Sequence, residues 1–201
     1  MIKLRIPENY IDPKDEGLRL ESPWIVPESA IFLAGLLDGS ESVFDVGMGA
    51  STLFYARRCN KVFGIETNRE FLDKVLRTVY IHGLEDSIEF KFIPNQPDIE
   101  NEIETMSLPE VFDVISIDTV RGYNRSELFK KSSQKLKKTG IFVLDNYANS
   151  HLFPSTYDWS HTEILKFLKL ENTHQVYDFD DPNWVGRGTR IVAPSSETDM
   201  T

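Results

Sequence analysis

The chain has 201 residues, enough for one domain with a sizeable core and too few for two comfortable ones. Its 40% apolar and 11% aromatic content excludes a disordered chain, and a net charge of −10 argues against non-specific partners such as nucleic acid or an anionic membrane surface. One cysteine, Cys59, rules out an internal disulfide, and the longest apolar run, Ile31 to Leu37, is too short to span a bilayer, so a reducing, cytoplasmic setting is expected.

Residues 1–27 contain Pro7, Pro13, Pro23 and Pro27 with little periodicity, and read as an irregular arm lacking the apolar stretch of a signal peptide. The folded domain is expected over 28–193. Helix signals open at Glu28, behind Pro27, and close near Asp38-Gly39. Ser42 to Val46 is a short apolar strand suited to burial on both faces. Thr52 to Arg58 reads as a helix, Lys61 to Glu66 as a strand, and Arg69 to His82 as a helix that Gly83 stops. Ser87 to Ile93 is a third strand. The stretch from Pro94 to Glu110, with five acidic residues and neither Lys nor Arg, has room for one solvated helix.

Val111 to Asp118 reads as a central strand, Arg125 to Lys137 as a basic amphipathic helix, and Ile141 to Asp145 as a fifth strand. A helix over His161 to Leu170 and strands over Thr173 to Asp178 and Thr189 to Ala193 complete the order, with residues 194–201 a disordered tail. Alternation of β and α predicts a three-layer, Rossmann-like α/β sandwich: a mostly parallel, seven-stranded sheet with helices on both faces. The close-set final pair of strands predicts an antiparallel strand at that edge.

Chemistry concentrates in Phe44-Asp45-Val46-Gly47-Met48-Gly49-Ala50-Ser51-Thr52, an apolar strand that runs into Gly-x-Gly and then a helix. Glycine lets the backbone turn sharply and lets a ligand approach without an intervening Cβ. The helix start offers N–H groups to an anion such as a carboxylate. Thr52 stands where a dinucleotide fingerprint wants its third glycine, which disfavours a pyrophosphate ligand. Asp45, inside the strand, is placed to accept from loop N–H groups or, through water, from an ammonium. Glu66 ends the next strand about twenty positions on, where a carboxylate can accept from both hydroxyls of a ribose.

The run from Phe44 to Thr52, followed by Val62-Phe63-Gly64-Ile65-Glu66 and preceded by Pro23-Trp24-Ile25-Val26-Pro27-Glu28, resembles class I S-adenosylmethionine-dependent methyltransferases, in particular their small-molecule O-methyltransferase branch. The resemblance covers roughly residues 23–147. It implies that Gly47 and Gly49 line the methionine part of S-adenosylmethionine, with Asp45, Met48, Ser51 and Thr52 of the same turn in the cofactor site, and that Glu66 holds the ribose. The family's adenine contact falls after the third strand, where Asn95 stands in place of the commoner acidic residue.

A parallel sheet brings the ends of the fourth and fifth strands side by side, so Asp118, Asp145 and Asn146 should converge. Three oxygen-bearing side chains there suit Mg²⁺, which would acidify a substrate hydroxyl. The pattern is similar to cation-dependent catechol-type O-methyltransferases, with one departure: Arg121 stands where those enzymes have a lysine base, and arginine stays protonated. The competing reading has Asp118 orienting the cofactor ammonium while Asp145 and Asn146 fix the loop. Asp118, Arg121 and Asp145 are the catalytic candidates. Arg121 and Arg125, two cations in an acidic chain, point to an anionic group on a small acceptor, or form a solvated loop.

Tyr147, Asn149, His151, Tyr157 and Trp159 follow the fifth strand, where an acceptor pocket is expected. His151 and His161 are general-base candidates or surface histidines; His82, His174 and Cys59 read as structural. Trp184, in the loop before the last strand, caps the pocket mouth or packs. The alternatives to methyl transfer are aminopropyl transfer from a decarboxylated cofactor, which would need an acidic polyamine pocket, and a regulatory protein that binds the cofactor without turnover.

Overall fold

A computed structural model describes residues 23–106, 112–119, 124–147, 149, 151–156, 158–181 and 188–195. Most of the expected arm, all of the tail beyond Ser195, and Arg121, Tyr123, Tyr157 and Trp184 lie outside the described residues. The elements run α1 Pro27–Leu36, β1 Ser42–Val46, α2 Ala50–Ala56, β2 Lys61–Glu66, α3 Arg69–Ile81, β3 Ile88–Phe92, α4 Gln96–Thr105, β4 Phe112–Ile117, α5 Arg125–Ser132, β5 Leu136–Asp145, α6 His161–Leu168, β6 His174–Phe179 and β7 Thr189–Pro194. Short 3₁₀ turns precede β3 and β5.

Local chemistry explains most boundaries. The Asn68 side chain caps α3 by accepting from the Phe71 N–H at 3.0 Å, and Leu72, Val75 and Val79 form its buried stripe. Gly83 leaves that helix at φ +64°. Ser160 and Glu163 make a reciprocal capping box at α6. The acidic stretch does hold one helix, α4, whose Ile99 and Ile103 are fully buried while Glu100 and Glu104 face Lys131.

The basic segment differs from its expectation. Helix α5 stops at Ser132, whose hydroxyl bonds back to the Leu128 carbonyl at 2.7 Å, and the chain joins β5 at Leu136, opposite Phe112 of β4. Pairing with a central strand outweighs the helix preference of the lysines, because a ladder partner is available and a helix there would have none.

The sheet order is β3-β2-β1-β4-β5-β7-β6. β7 runs antiparallel to both neighbours, and all other pairings are parallel. The antiparallel strand expected at this end therefore lies one place inside the rim, inserted between β5 and β6. Two apolar layers flank the sheet. One packs α1, α2 and α3 through Leu33, Leu53, Phe54, Leu72 and Val75. The other packs α4, α5 and α6 through Ile99, Ile103, Leu128, Phe129 and Ile164. Among the described residues no helix is long and apolar enough to cross a membrane.

Candidate active site

The chain leaves β1 towards β2 on one side, then returns after β3 to lay β4 on the other side of β1. Connections diverge at this switch point, so the carboxyl ends of β1 and β4 open a crevice. Gly47 makes the turn there with φ +100°. A Cβ on it would stand 1.8 Å from the Asp118 carbonyl oxygen, so no other residue fits. The Gly47 and Met48 N–H groups both donate to the Ile65 carbonyl, at 2.8 and 3.3 Å, which ties the turn to β2. Gly49 is extended, at φ −174°, and a Cβ there would meet only Phe71 ring carbons at 3.5 Å, an ordinary contact. No clash or strain within the fold demands glycine at 49, and the residue lines the cavity described below.

Beneath the turn, Asp45 is fully buried. Its Oδ2 accepts from the Thr52 hydroxyl at 2.6 Å and the Ser51 hydroxyl at 3.1 Å, and Thr52 Oγ1 accepts from the Gly49 N–H at 2.8 Å. Two hydroxyls thus hold Oδ2, while Oδ1 has no partner among the described residues. Burial, only partly offset by these bonds, raises its carboxyl to about 7. Met48 is buried too. Its thioether fills the space over Gly64, where a Cβ would come within 2.6 Å of Sδ. Asp45, Thr52 and the Met48 side chain shape the turn from below.

Glu66 ends β2 with its carboxylate at the crevice. Within the described residues all its hydrogen bonds go to Oε1, from the Thr67 and Asn68 N–H groups at 2.7 Å each and the Thr67 hydroxyl at 3.3 Å. The second oxygen is unspent. Burial raises this carboxyl above its ordinary value. A cavity of about 270 Å³ opens here, lined by Gly47, Met48, Gly49, Ser51, Glu66, Asp118 and five residues that sequence reasoning did not assign: Trp24, Ala50, Asn68, Phe71 and Thr119. Trp24 and Phe71 pack with ring centroids 6.0 Å apart. Thr119 is 2% exposed, and its hydroxyl has no partner among the described residues. A free carboxylate oxygen, an unpaired hydroxyl and a glycine-floored turn fit a ligand with a diol and a polar tail. Asn68 is an N-cap residue type placed just before α3, a signal that marks the helix start but not the cavity wall.

At the neighbouring strand ends stand the three expected oxygen donors, and a residue assigned elsewhere links the Asp118 carboxylate to the Asp145 main chain. Arg125, expected either to meet an anionic acceptor group or to lie in a solvated loop, is 3% exposed. Its Nη2 donates to Asp118 Oδ1 at 2.8 Å and to the Thr119 carbonyl, and its Nη1 donates to the Asp145 carbonyl at 2.8 Å. Asp145 accepts from the Thr189 hydroxyl at 2.9 Å on Oδ1 and from the Asn146 carboxamide N–H on Oδ2. Burial and the charge of Asp118 push Asp145 well above the usual carboxylate range, with Arg125 working the other way.

These residues do not fit a divalent ion. Asp145 has both oxygens taken, and Asn146 directs its N–H at Asp145. Two unit charges about 4 Å apart at an effective dielectric near 20 repel by about 4 kcal/mol, and a dication beside the guanidinium would meet roughly twice that. Among the described residues no three His, Cys, Asp or Glu side chains converge as a metal set.

Other candidates lie away from the cavity. Asn95 caps α4, accepting from the Asp98 N–H at 3.1 Å and donating to the Asp98 carboxylate at 2.7 Å, so its side chain is engaged in the helix start rather than in the cavity wall. The Asn before Gln-Pro-Asp is the signal that marks this role. His161 pairs with Asp178 at 2.9 Å, which Arg190 also holds at 2.6 and 2.8 Å. Tyr147 packs under Arg190, whose guanidinium carbon is 4.1 Å from the ring centroid, and Trp159 packs against Phe129 and Phe167. His151 is exposed on a turn. His174 is buried against the Gly140 carbonyl at 2.9 Å, the structural role expected of it. Cys59 is buried, and burial pushes its thiol up to about 12. A second hollow, of about 320 Å³, lies between α4 and the β2–β3 side of the sheet and touches none of the turn residues.

No protein-family model matches the sequence, and no curated protein matches it. Solved structures do share the fold. An O-methyltransferase from Bacillus cereus in complex with SAH superimposes with a TM-score of 0.61 at 17% identity, covering 89% of this chain and 84% of that one. The O-methyltransferase TomG from Streptomyces achromogenes, involved in tomaymycin synthesis and solved with SAM, gives 0.56 at 14%, covering 82% and 77%. An rRNA methylase from Streptococcus thermophilus gives 0.57 at 16%, covering 84% and 95%.

Proposed function

We propose that this chain is an S-adenosylmethionine-dependent methyltransferase that acts on an oxygen of a small polar or anionic acceptor. The observation that carries the reading is the crevice at the β1–β4 switch point, with a glycine turn on one side and the unspent Oε2 of Glu66 on the other. The neighbours solved with SAM or SAH lend support through their shared fold, and the rRNA methylase among them makes the acceptor a separate question. The net charge of −10 favours a small molecule over RNA.

When bound, the cofactor supplies an electrophilic methyl on a sulfonium. Glu66 accepts from the ribose hydroxyls, Gly49 leaves room for the ligand to lie on the turn, and Asp118 faces the amino-acid end. Trp24 and Phe71 wall the cavity and exclude water, so the protein's main work is alignment for in-line displacement. Arg121, two positions beyond Thr119, is the proposed contact for an anionic acceptor group. Divalent-metal assistance is disfavoured, because Arg125 holds Asp118 Oδ1 while Thr189 and Asn146 hold the Asp145 carboxylate. Aminopropyl transfer is disfavoured: among the described residues the lining carboxylates are Glu66, assigned to ribose, and Asp118, paired with Arg125. The proposed catalytic domain spans residues 28–193, and the single cysteine favours a cytoplasmic location.

Calorimetry with S-adenosylmethionine and S-adenosylhomocysteine tests the reading directly. Saturable, one-to-one binding of both is expected, with release of S-adenosylhomocysteine on screening hydroxylated acceptors. Binding of neither would remove the assignment and leave the fold alone.

A further inference from the structure

We propose that the Arg125 guanidinium is a built-in cation of the reaction end, placed where a metal-assisted enzyme would hold its divalent ion, and that it positions Asp118 without any metal. The inference deepens the proposed function and rests on that reading for its ligand, though its metal arm does not.

The guanidinium is shared among three groups from different parts of the fold: the Asp118 carboxylate and the Thr119 carbonyl just beyond β4, and the Asp145 carbonyl at the end of β5. Its stem is held as firmly. The Arg125 N–H donates to the Leu152 carbonyl at 2.8 Å, and the guanidinium carbon lies 6.0 Å from the Phe153 ring centroid. Asn124, the N-cap of α5, is itself tied to α4, its N–H donating to Gln96 Oε1 at 2.6 Å. Arg125 is thereby aimed inward from the first residue of its helix.

Charge and donor count then follow. An arginine offers donors in a fixed planar fork and cannot lose its proton, so the positive charge is permanent. Asp118 has one oxygen pinned on this fork, while its side chain, 28% exposed, still reaches the cavity wall. Asp145 has both carboxylate oxygens committed to Thr189 and Asn146, and only its main chain meets the cation. A divalent ion would have to displace the guanidinium from the three acceptors it holds among the described residues. Arg125 is accordingly a positioning residue, acting through Asp118.

The test uses the full chain. Electron paramagnetic resonance titration with MnCl₂ should show no Mn²⁺ binding that depends on Asp118, and the calorimetric affinity for S-adenosylhomocysteine should be the same in MgCl₂ and in EDTA. Arg125→Gln should weaken that affinity at least tenfold, and Arg125→Lys, which restores the charge, should recover part of it. Stoichiometric Mn²⁺ binding that disappears in Asp118→Asn would overturn the proposal, as would a folded Arg125→Gln with unchanged affinity. If Arg125→Gln does not fold by circular dichroism, the Mn²⁺ titration of the wild-type chain decides. Failure of the wild type to bind S-adenosylhomocysteine would count against the proposed function, and the Mn²⁺ result would stand separately.

Discussion

Replacing each glycine of the turn by alanine separates what the fold needs from what a ligand needs. In Gly47→Ala the new Cβ lies 1.8 Å from the Asp118 carbonyl oxygen and 2.5 Å from its carbon, both backbone atoms that cannot swing aside. The φ of +100° adds the left-handed penalty of an L-residue, about 1–2 kcal/mol. Relief requires β1 and β4 to separate at the point where the Asp118 N–H donates to the Val46 carbonyl at 2.8 Å. Strain and a lost ladder bond together give a destabilisation of about 3 kcal/mol or more. Gly49→Ala meets neither problem, and its stability should stay within about 1 kcal/mol of the wild type, helped by a less flexible unfolded chain. Its methyl would nevertheless lie on the cavity wall, so affinity for S-adenosylhomocysteine should fall at least tenfold, or about 1.4 kcal/mol. Urea denaturation followed by circular dichroism, with calorimetry on each variant, measures both quantities. A Gly49→Ala variant of wild-type stability and wild-type affinity would refute the argument, since no ligand could then lie over that turn.

Glu66→Gln keeps an oxygen for the Thr67 and Asn68 N–H groups but loses the charged acceptor, so ligand affinity should drop by about 1.5–3 kcal/mol with little change in melting temperature; unchanged affinity would take the ribose away from Glu66. Asp45 binds its proton up to about 7 in the folded protein and only up to its ordinary value when unfolded. Its contribution to stability is therefore full at low pH and is lost as pH rises to about 7, by on the order of 4 kcal/mol, and Asp45→Asn should flatten that part of the urea-midpoint profile. A profile with the same slope in the variant would locate the titration elsewhere. Asp178→Ala leaves the buried Arg190 with the Trp159 carbonyl and the Tyr147 ring face and should cost about 1.5–3 kcal/mol, with ligand affinity of the folded variant unchanged. A loss of affinity at full stability would instead tie that cluster to the site.

Much of the architecture was legible because it is local. Apolar runs in Val43–Val46 and Val114–Ile117, the Asn68 and Ser160 caps and the stop at Gly83 each act within a few residues, so spacing alone locates them. The glycine turn was legible for the same reason, since Gly47 follows one apolar strand and Glu66 closes the next. The Lys-rich segment was not, because whether Leu136 begins a strand depends on Phe112 being beside it.

What the sequence alone determined is a βα succession, the strand that opens into a glycine turn, and the carboxylate at the end of the next strand. Only the tertiary structure decided that β7 inserts between β5 and β6, that Met48 folds over Gly64, and that Arg125 points inward to join the ends of β4 and β5. Each of these depends on atoms far apart in the chain. Nothing in the residues near Arg125 distinguishes a solvated cation from a buried one; the distinction arises when Asp118, Thr119 and Asp145 present acceptors that only a fixed positive fork can satisfy.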